Sequence, residues 1–488
     1  MARRLGIYTL GHFMSLSGAQ SYYLKKLWNP LLENYESWEL SQLSTSTEDL
    51  KIIEQSLEGM SITHEQILGG FFPLSERVEC LERVKVEFSK NFNNLAQILS
   101  MEVHKPLSLA KAECERCLLT LQGSIDLGRE LLKDPPLMKA TLGTQVNTQL
   151  SGESSPQPRR LIFGITPFNF PLNLSLHKIA PALLAGAPMI WRPSQKGQLS
   201  GLALIDILHA AKVPAGLIAY LPMTNECFWE VLKDSRIEAI SFTGSAAVGW
   251  ELQKKFRGPS ILELGGSAPT YVENIKGDEL RKALKSILAS AYSFAGQSCI
   301  STQSVHIHED IFEEAKKILI EETKSFKIGK TWDENTLCSS VIDEAAQERI
   351  EKSLKKAEKA GATLHRTVQL DIPNFVAPTL VEKANEELLT EEIFAPVLCL
   401  QKVKDFAEFQ SFANKLSHRL QCAVFSQEES TLKKARLLDF GGVSLNATSS
   451  VRIDDLPYGG RGLAGLGAEC PKTSWEFSAP YKTFYKPK

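Results

Sequence analysis

Membrane-length apolar runs, paired cysteine motifs, blocks of like charge and internal repeats are all missing from this chain of 488 residues. No apolar stretch reaches the roughly 18 residues that a bilayer-spanning helix needs. The most apolar one, KIAPALLAGAPMIW at 178–191, is too short and is broken by prolines. The formal net charge is only -2, and no basic stripe of the kind that tracks a phosphate backbone stands out. Neither nucleic acid nor a membrane is expected as a partner. The nine cysteines are an odd number scattered over a long chain, which argues against a disulfide framework. Only Cys114 and Cys117 are close, as CERC in a helical stretch, and they read as ordinary helix residues. Acid is also missing from the start, where the first acidic residue is Glu33. That basic segment lacks the apolar core of a secretory signal, so a cytoplasmic location is expected.

What is present is ordinary globular material, 43% hydrophobic and 23% charged, long enough for two or three domains. Residues 74–134 read as long amphipathic helices, and 135–158 lose that period and gather Pro, Gly, Ser and Thr as a hairpin or connector. From 161 short apolar strands alternate with helices: LIFGI, then PLNLSLHKIAPALLAG with Gly186 as its stop, then PMIWRP, LIAYLP and IEAISF with helices between. Such alternation predicts a parallel sheet covered on both faces, with ligands beyond the carboxyl ends of its strands. The pattern continues with different spacing from about 270 to 467, as a second α/β domain. The tail WEFSAPYKTFYKPK has strand-like alternation and is expected to pair with another element or another subunit.

Four places could carry chemistry. Cys299, in FAGQSCIS, follows a helical stripe of Leu280, Leu284, Ile287, Leu288, Ala291 and Ala295 that Gly296 interrupts. A thiol in a loop off a packed helix is either a nucleophile or a packed cysteine. Glu263 interrupts the apolar run of SILELGG, where a buried acid is either salt-bridged or a base of raised pKa. Asn169 in ITPFNFPL either caps the next helix or aims its amide at an oxyanion. SFTGSAAVG at 241–249 is a strand, a glycine turn and a helix start, which either packs tightly or attracts phosphate.

Taken in order, ITPFNFPL, WRPSQ, SFTGSAAVG, LELGGSAP, FAGQSC and EEIFAP resemble the aldehyde dehydrogenase superfamily. NPLLENYESW at 29–38, PLSERVECLERV at 73–84, GGVSLN and LPYGG extend the resemblance over nearly the whole chain, and LPMTNE and GQSCIS bring it nearest the lactaldehyde-dehydrogenase-like branch. The resemblance implies an α/β fold with a Rossmann-like NAD(P)-binding domain at 1–134 and 159–268. It also implies a second α/β catalytic domain at 269–467 and a small β oligomerisation element at 135–158 and 468–488. It implies NAD or NADP as cofactor, an aldehyde as substrate, and a homodimer or homotetramer.

By the same resemblance Cys299 is the nucleophile, Asn169 holds the oxyanion and Glu263 activates the hydrolytic water. Ile165, Thr166, Pro167 and Phe168 line the nicotinamide and pyrophosphate. Gly244, Ser245, Gly249, Leu264 and Gly265 surround the phosphates, Glu392 meets the nicotinamide ribose and Phe394 its ring. Arg192, Ser194 and Gln195 face the adenosine ribose. Arg192 stands where Lys is common and Gln195 where Glu is frequent, so acceptance of NADP is expected. Ser304 replaces an Arg of the branch, and Ala395 a Gly. Three rival readings are an acylating, coenzyme-A-dependent enzyme, a thiol hydrolase without nicotinamide, and a binding protein without activity. Glu263 counts against the first, and the turn at 243–245 with Glu392 and Phe394 counts against the second.

Overall fold

The computed structural model describes side chains for residues 42–140 and 151–486, and backbone strands alone at several places before residue 42. The stretch NPLLENYESW has its side chains outside the described residues. Four helices come first: α1 (Thr47–Leu68), α2 (Leu74–Lys90), α3 (Phe92–Val103) and α4 (Leu107–Lys133). The expected alternation follows, with strands Ile162–Thr166, Met189–Pro193, Ile218–Tyr220, Ala239–Thr243 and Ser260–Glu263. The helices between them are α5 (Asn173–Ala185), α6 (Gln198–Ala210), α7 (Asn225–Val231) and α8 (Ala246–Lys255).

Every residue of Ile162–Thr166 is buried, as a central parallel strand covered on both faces requires. One face is covered by residues of α2, α4, α5 and α6, and the other by residues of α1, α7 and α8. Gly186 ends α5 in the left-handed conformation at φ 75°, which explains the abrupt stop. Register aligns the strand ends. Thr166 lies opposite Pro193, Phe242 opposite Ile165, and Thr243 opposite Glu263. The turns that follow these strands therefore emerge along one lip.

The second sheet has seven strands, in the order Thr363–Arg366, Thr379–Glu382, Val397–Val403, Ser304–His308, Pro269–Val272, Gln421–Phe425, Gly442–Leu445. All its pairs are parallel except the first. Residues 264–268 join the carboxyl end of Ser260–Glu263 to the amino end of Pro269–Val272, so the lip of the first sheet meets the amino ends of the second. A third sheet is built from Met138–Thr141, Leu150–Pro156 and the tail strand Tyr481–Pro487, all antiparallel, with Phe484 opposite Glu153.

One boundary differs from the sequence reading. Helix α9 (Gly277–Tyr292) carries the expected stripe but ends at Tyr292, not at Gly296. Phe294 and Ala295 then take φ 53° and Gly296 φ 66°. Left-handed residues cannot continue a helix, so Ala295 is buried beside the stripe without belonging to it. Gly296 is obligatory because a Cβ there would stand 1.9 Å from the carbonyl oxygen of Ala395.

Candidate active site

Every residue named above for catalysis or cofactor contact lines a single cavity of about 590 Å³, except Gly249. That volume suits a small-molecule ligand. Gly249 instead lies behind the lip in α8, where a Cβ would meet the Leu264 side chain at 2.4 Å. Its lack of a side chain serves helix-to-strand packing.

Cys299 is half-buried, past the left-handed turn, with its Sγ 3.1 Å from the Tyr458 hydroxyl. Burial pushes the thiol up to about 11, against the hydrogen bond from Tyr458. Asn169 does not cap α5. Its Nδ2 donates to the carbonyl oxygen of Gln297 at 3.1 Å and its Oδ1 accepts from Phe170 N–H, which fixes the amide in the turn that leads to Cys299. The α5 amides of Leu172 and Asn173 donate instead to the buried carboxylate of Glu113, at 3.0 and 3.2 Å. Glu113 also pairs with Lys105, whose ammonium donates to the Asn169 carbonyl at 2.6 Å and sits over the Phe170 ring. A satisfied ion pair beneath the loop thus holds Asn169 in place.

Glu263 is only 2% exposed, and neither carboxylate oxygen has a hydrogen-bond partner. The salt-bridge reading therefore fails. Burial first, and then the charge of Glu469, hold its carboxyl well above the usual range, while Arg452 and Lys178 oppose them. Lys178, on α5, donates to Thr243 Oγ1 at 2.8 Å and pairs with Glu469. A carboxylate without fixed partners, next to an ion pair that can respond to its charge, is arranged for proton transfer.

The opposite end of the cavity fits a dinucleotide. The N-terminus of α8 opens after Gly244, and Ser245 makes no side-chain cap bond, so its first amides are not occupied by their own cap. The Glu392 carboxylate lies against Gly265, where a Cβ would clash with it at 2.0 Å. Burial raises this carboxyl to about 7, against the Gly266 N–H and Arg349. Phe394 takes φ 53° and packs edge-on to Phe168 at 6.0 Å. Arg192 donates to the Met223 carbonyl and to Asn225 Oδ1, and Gln195 Nε2 to Gln42 Oε1. Ile165, Thr166, Pro167, Ser194 and Leu264 complete this part of the wall.

Ser304 is not in the cavity wall. It is fully buried at the start of its strand, bonded to His306 Nε2 at 3.1 Å. Sequence reasoning missed Lys178, Glu469 and Tyr458. Lys178 sits within the apolar helix α5, and a buried Lys in such a helix was the available signal. Arg452 also lines the cavity, with its Nε 3.2 Å from Asp454 Oδ1 and its Nη2 4.0 Å from Glu469 Oε2.

Two α/β sheets and a single cavity lined by a thiol, an unpartnered carboxylate and an uncapped helix N-terminus suit a dehydrogenase cleft. Residues 71–484 match the aldehyde dehydrogenase family. A lactaldehyde dehydrogenase of Methanococcus aeolicus is 33% identical over 416 residues, 83% of this chain and 87% of that one. Among solved structures, aldehyde dehydrogenase 21 from Physcomitrella patens in complex with the reaction product succinate has a TM-score of 0.87 at 26% identity. That match covers 100% of this chain and 99% of that chain. Glyceraldehyde-3-phosphate dehydrogenase GapN from Methanocaldococcus jannaschii, complexed with NADP, has a TM-score of 0.80 at 29% identity, over 90% and 94% of the two chains. The chain belongs to the aldehyde dehydrogenase family. It is an NAD(P)-dependent oxidoreductase that converts aldehydes to carboxylic acids. Among the described residues no helix is long and apolar enough to cross a membrane, and no side-chain cluster could hold a metal ion.

Proposed function

We propose that Cys299 is the nucleophile, Asn169 the oxyanion donor and Glu263 the base for hydrolysis, acting on a small aldehyde that carries a hydroxyl or an anionic group. The observation that carries this reading is the shared cavity, in which a thiol and an unpartnered carboxylate line the same wall as a buried amide. Sγ attacks the aldehyde carbon and forms a thiohemiacetal. The second N–H of the Asn169 amide and the Cys299 backbone N–H, which has no hydrogen-bond partner among the described residues, receive the oxyanion. A bound nicotinamide supplies the acceptor for the hydride, leaving a thioester on Cys299. Glu263 then takes a proton from water, which attacks the thioester and releases the acid. Its lack of fixed partners supports hydrolysis over acyl transfer to a thiol cosubstrate.

The cofactor would be held by the amides of α8 after Gly244 and by Glu392 at a ribose, with Phe394 and Phe168 flanking the ring. Among the described residues the cavity wall around Arg192, Ser194 and Gln195 carries no carboxylate that would repel a 2'-phosphate, and NADP is accepted. Arg452 supports the substrate class, because its guanidinium lines the cavity and a cation there suits an anion or a hydroxyl. Lactaldehyde, succinate and glyceraldehyde 3-phosphate, named for the similar proteins, all carry such groups. The enzyme acts in the cytoplasm as a homodimer or homotetramer, joined through the third sheet, whose tail exposes Phe484 and Tyr485. The test is NADH or NADPH formation across polar and apolar small aldehydes, with Cys299→Ser as control. Activity confined to apolar aldehydes would remove the substrate class, and full activity in Cys299→Ser would remove the mechanism.

A further inference from the structure

We propose that Tyr458 is a further catalytic residue, whose phenol O–H donates to the Cys299 sulfur, favours its ionisation and holds it in one position before the aldehyde arrives. This rests on the reading of Cys299 as the nucleophile.

Tyr458 Oη lies 3.1 Å from Sγ, and the ring has little freedom to move away. The Tyr458 N–H donates to the Glu469 carbonyl at 3.0 Å, and the Tyr458 carbonyl accepts from the Glu469 N–H at 2.7 Å. The side chain packs with Ile300, Leu420 and Ala464, and Cys299 lies against the same cluster. A phenylalanine would serve that packing equally well, so the hydroxyl needs another reason. The Arg452 guanidinium lies 4.1 Å from the ring centroid and is itself buried. A cation over the ring draws electron density from it and strengthens the O–H as a donor.

The direction of the bond follows from the two groups. Burial keeps the phenol protonated well above its ordinary range, while a thiolate can only accept. The charged and titratable groups facing the sulfur are Tyr458 and Arg452 from one loop, Glu392 from the segment before Phe394, and Glu263 from the end of its strand. The two carboxylates and burial oppose ionisation, so the thiolate depends on donors. Ionisation releases the thiol proton to solvent water. When the S–C bond forms, sulfur spends the lone pair that accepted from Tyr458.

The test is iodoacetamide alkylation of the enzyme without substrate, followed across pH on the Cys299 peptide by mass spectrometry. Tyr458→Phe is expected to raise the midpoint by about one pH unit, making alkylation about tenfold slower at any pH below both midpoints. Site-specific 3-fluorotyrosine at 458 keeps the packing, strengthens the donor and is expected to lower the midpoint. It also keeps the test open should Tyr458→Phe not fold. An unchanged or lowered midpoint in Tyr458→Phe, or an unchanged or raised one with fluorotyrosine, overturns the proposal. The nucleophile reading fails separately, through retained aldehyde oxidation by Cys299→Ser.

Discussion

Two buried glutamates serve this cleft in opposite ways. Glu113, 1% exposed, is paired with Lys105 and accepts from two backbone amides. Glu263, 2% exposed, has no partner on either oxygen. Burial is the same, and hydrogen-bond satisfaction is what separates them. A satisfied buried acid is scaffold, here the support of the Asn169 loop. An unsatisfied one costs stability and is kept where its proton can move. The buried cations differ in place rather than in pairing: Lys105 is enclosed by Glu113, the Asn169 carbonyl and the Phe170 ring, whereas Arg452 lines the cavity with its Nε 3.2 Å from Asp454 Oδ1.

Substituting each acid should separate chemistry from folding. Glu263→Gln is expected to lower kcat by about 10²- to 10⁴-fold, with the acyl-enzyme accumulating on Cys299 as a burst and a mass increment. An unchanged steady-state rate would break the comparison at its reactive end. Glu113→Gln leaves Lys105 buried without a charged partner and should cost about 3–5 kcal/mol of stability, read by chemical denaturation. A stability loss in Glu263→Gln as large as that in Glu113→Gln would erase the distinction. The smallest effect is pH-dependent. Because Glu263 has a raised pKa in the folded protein, its contribution to stability is present below the ordinary carboxylate range and is lost as pH rises through the raised value. Glutamine has no such loss. The Tm of Glu263→Gln relative to the parent should therefore climb with pH, and a gap that stayed constant or shrank would show that Glu263 ionises normally.

Much of this was legible in the residue order. Alternating apolar strands and helices predicted the parallel sheet, because side-chain period and turn residues are local properties. The loop position of Cys299 and the out-of-place acid at 263 were visible for the same reason. The end of α9 was misjudged by three residues, since the contacts that turn Phe294 and Ala295 left-handed come from elsewhere: Phe294 N–H bonds to the Leu337 carbonyl, and Gly296 abuts Ala395. At Gly249 the sequence could not show the close Leu264 side chain, because a glycine admitting a ligand and a glycine admitting a leucine look alike until the neighbour is known.

The sequence by itself determined the fold class, the family and the chemical types available at the strand ends. Only the tertiary structure decided which acid is satisfied and which is not, whether Asn169 caps a helix or faces the thiol's turn, and that Tyr458, 159 positions from Cys299, reaches its sulfur. The reason is physical. Propensity and periodicity are written in neighbouring residues, whereas desolvation, hydrogen-bond satisfaction and pKa depend on groups that meet only after the chain has closed on itself.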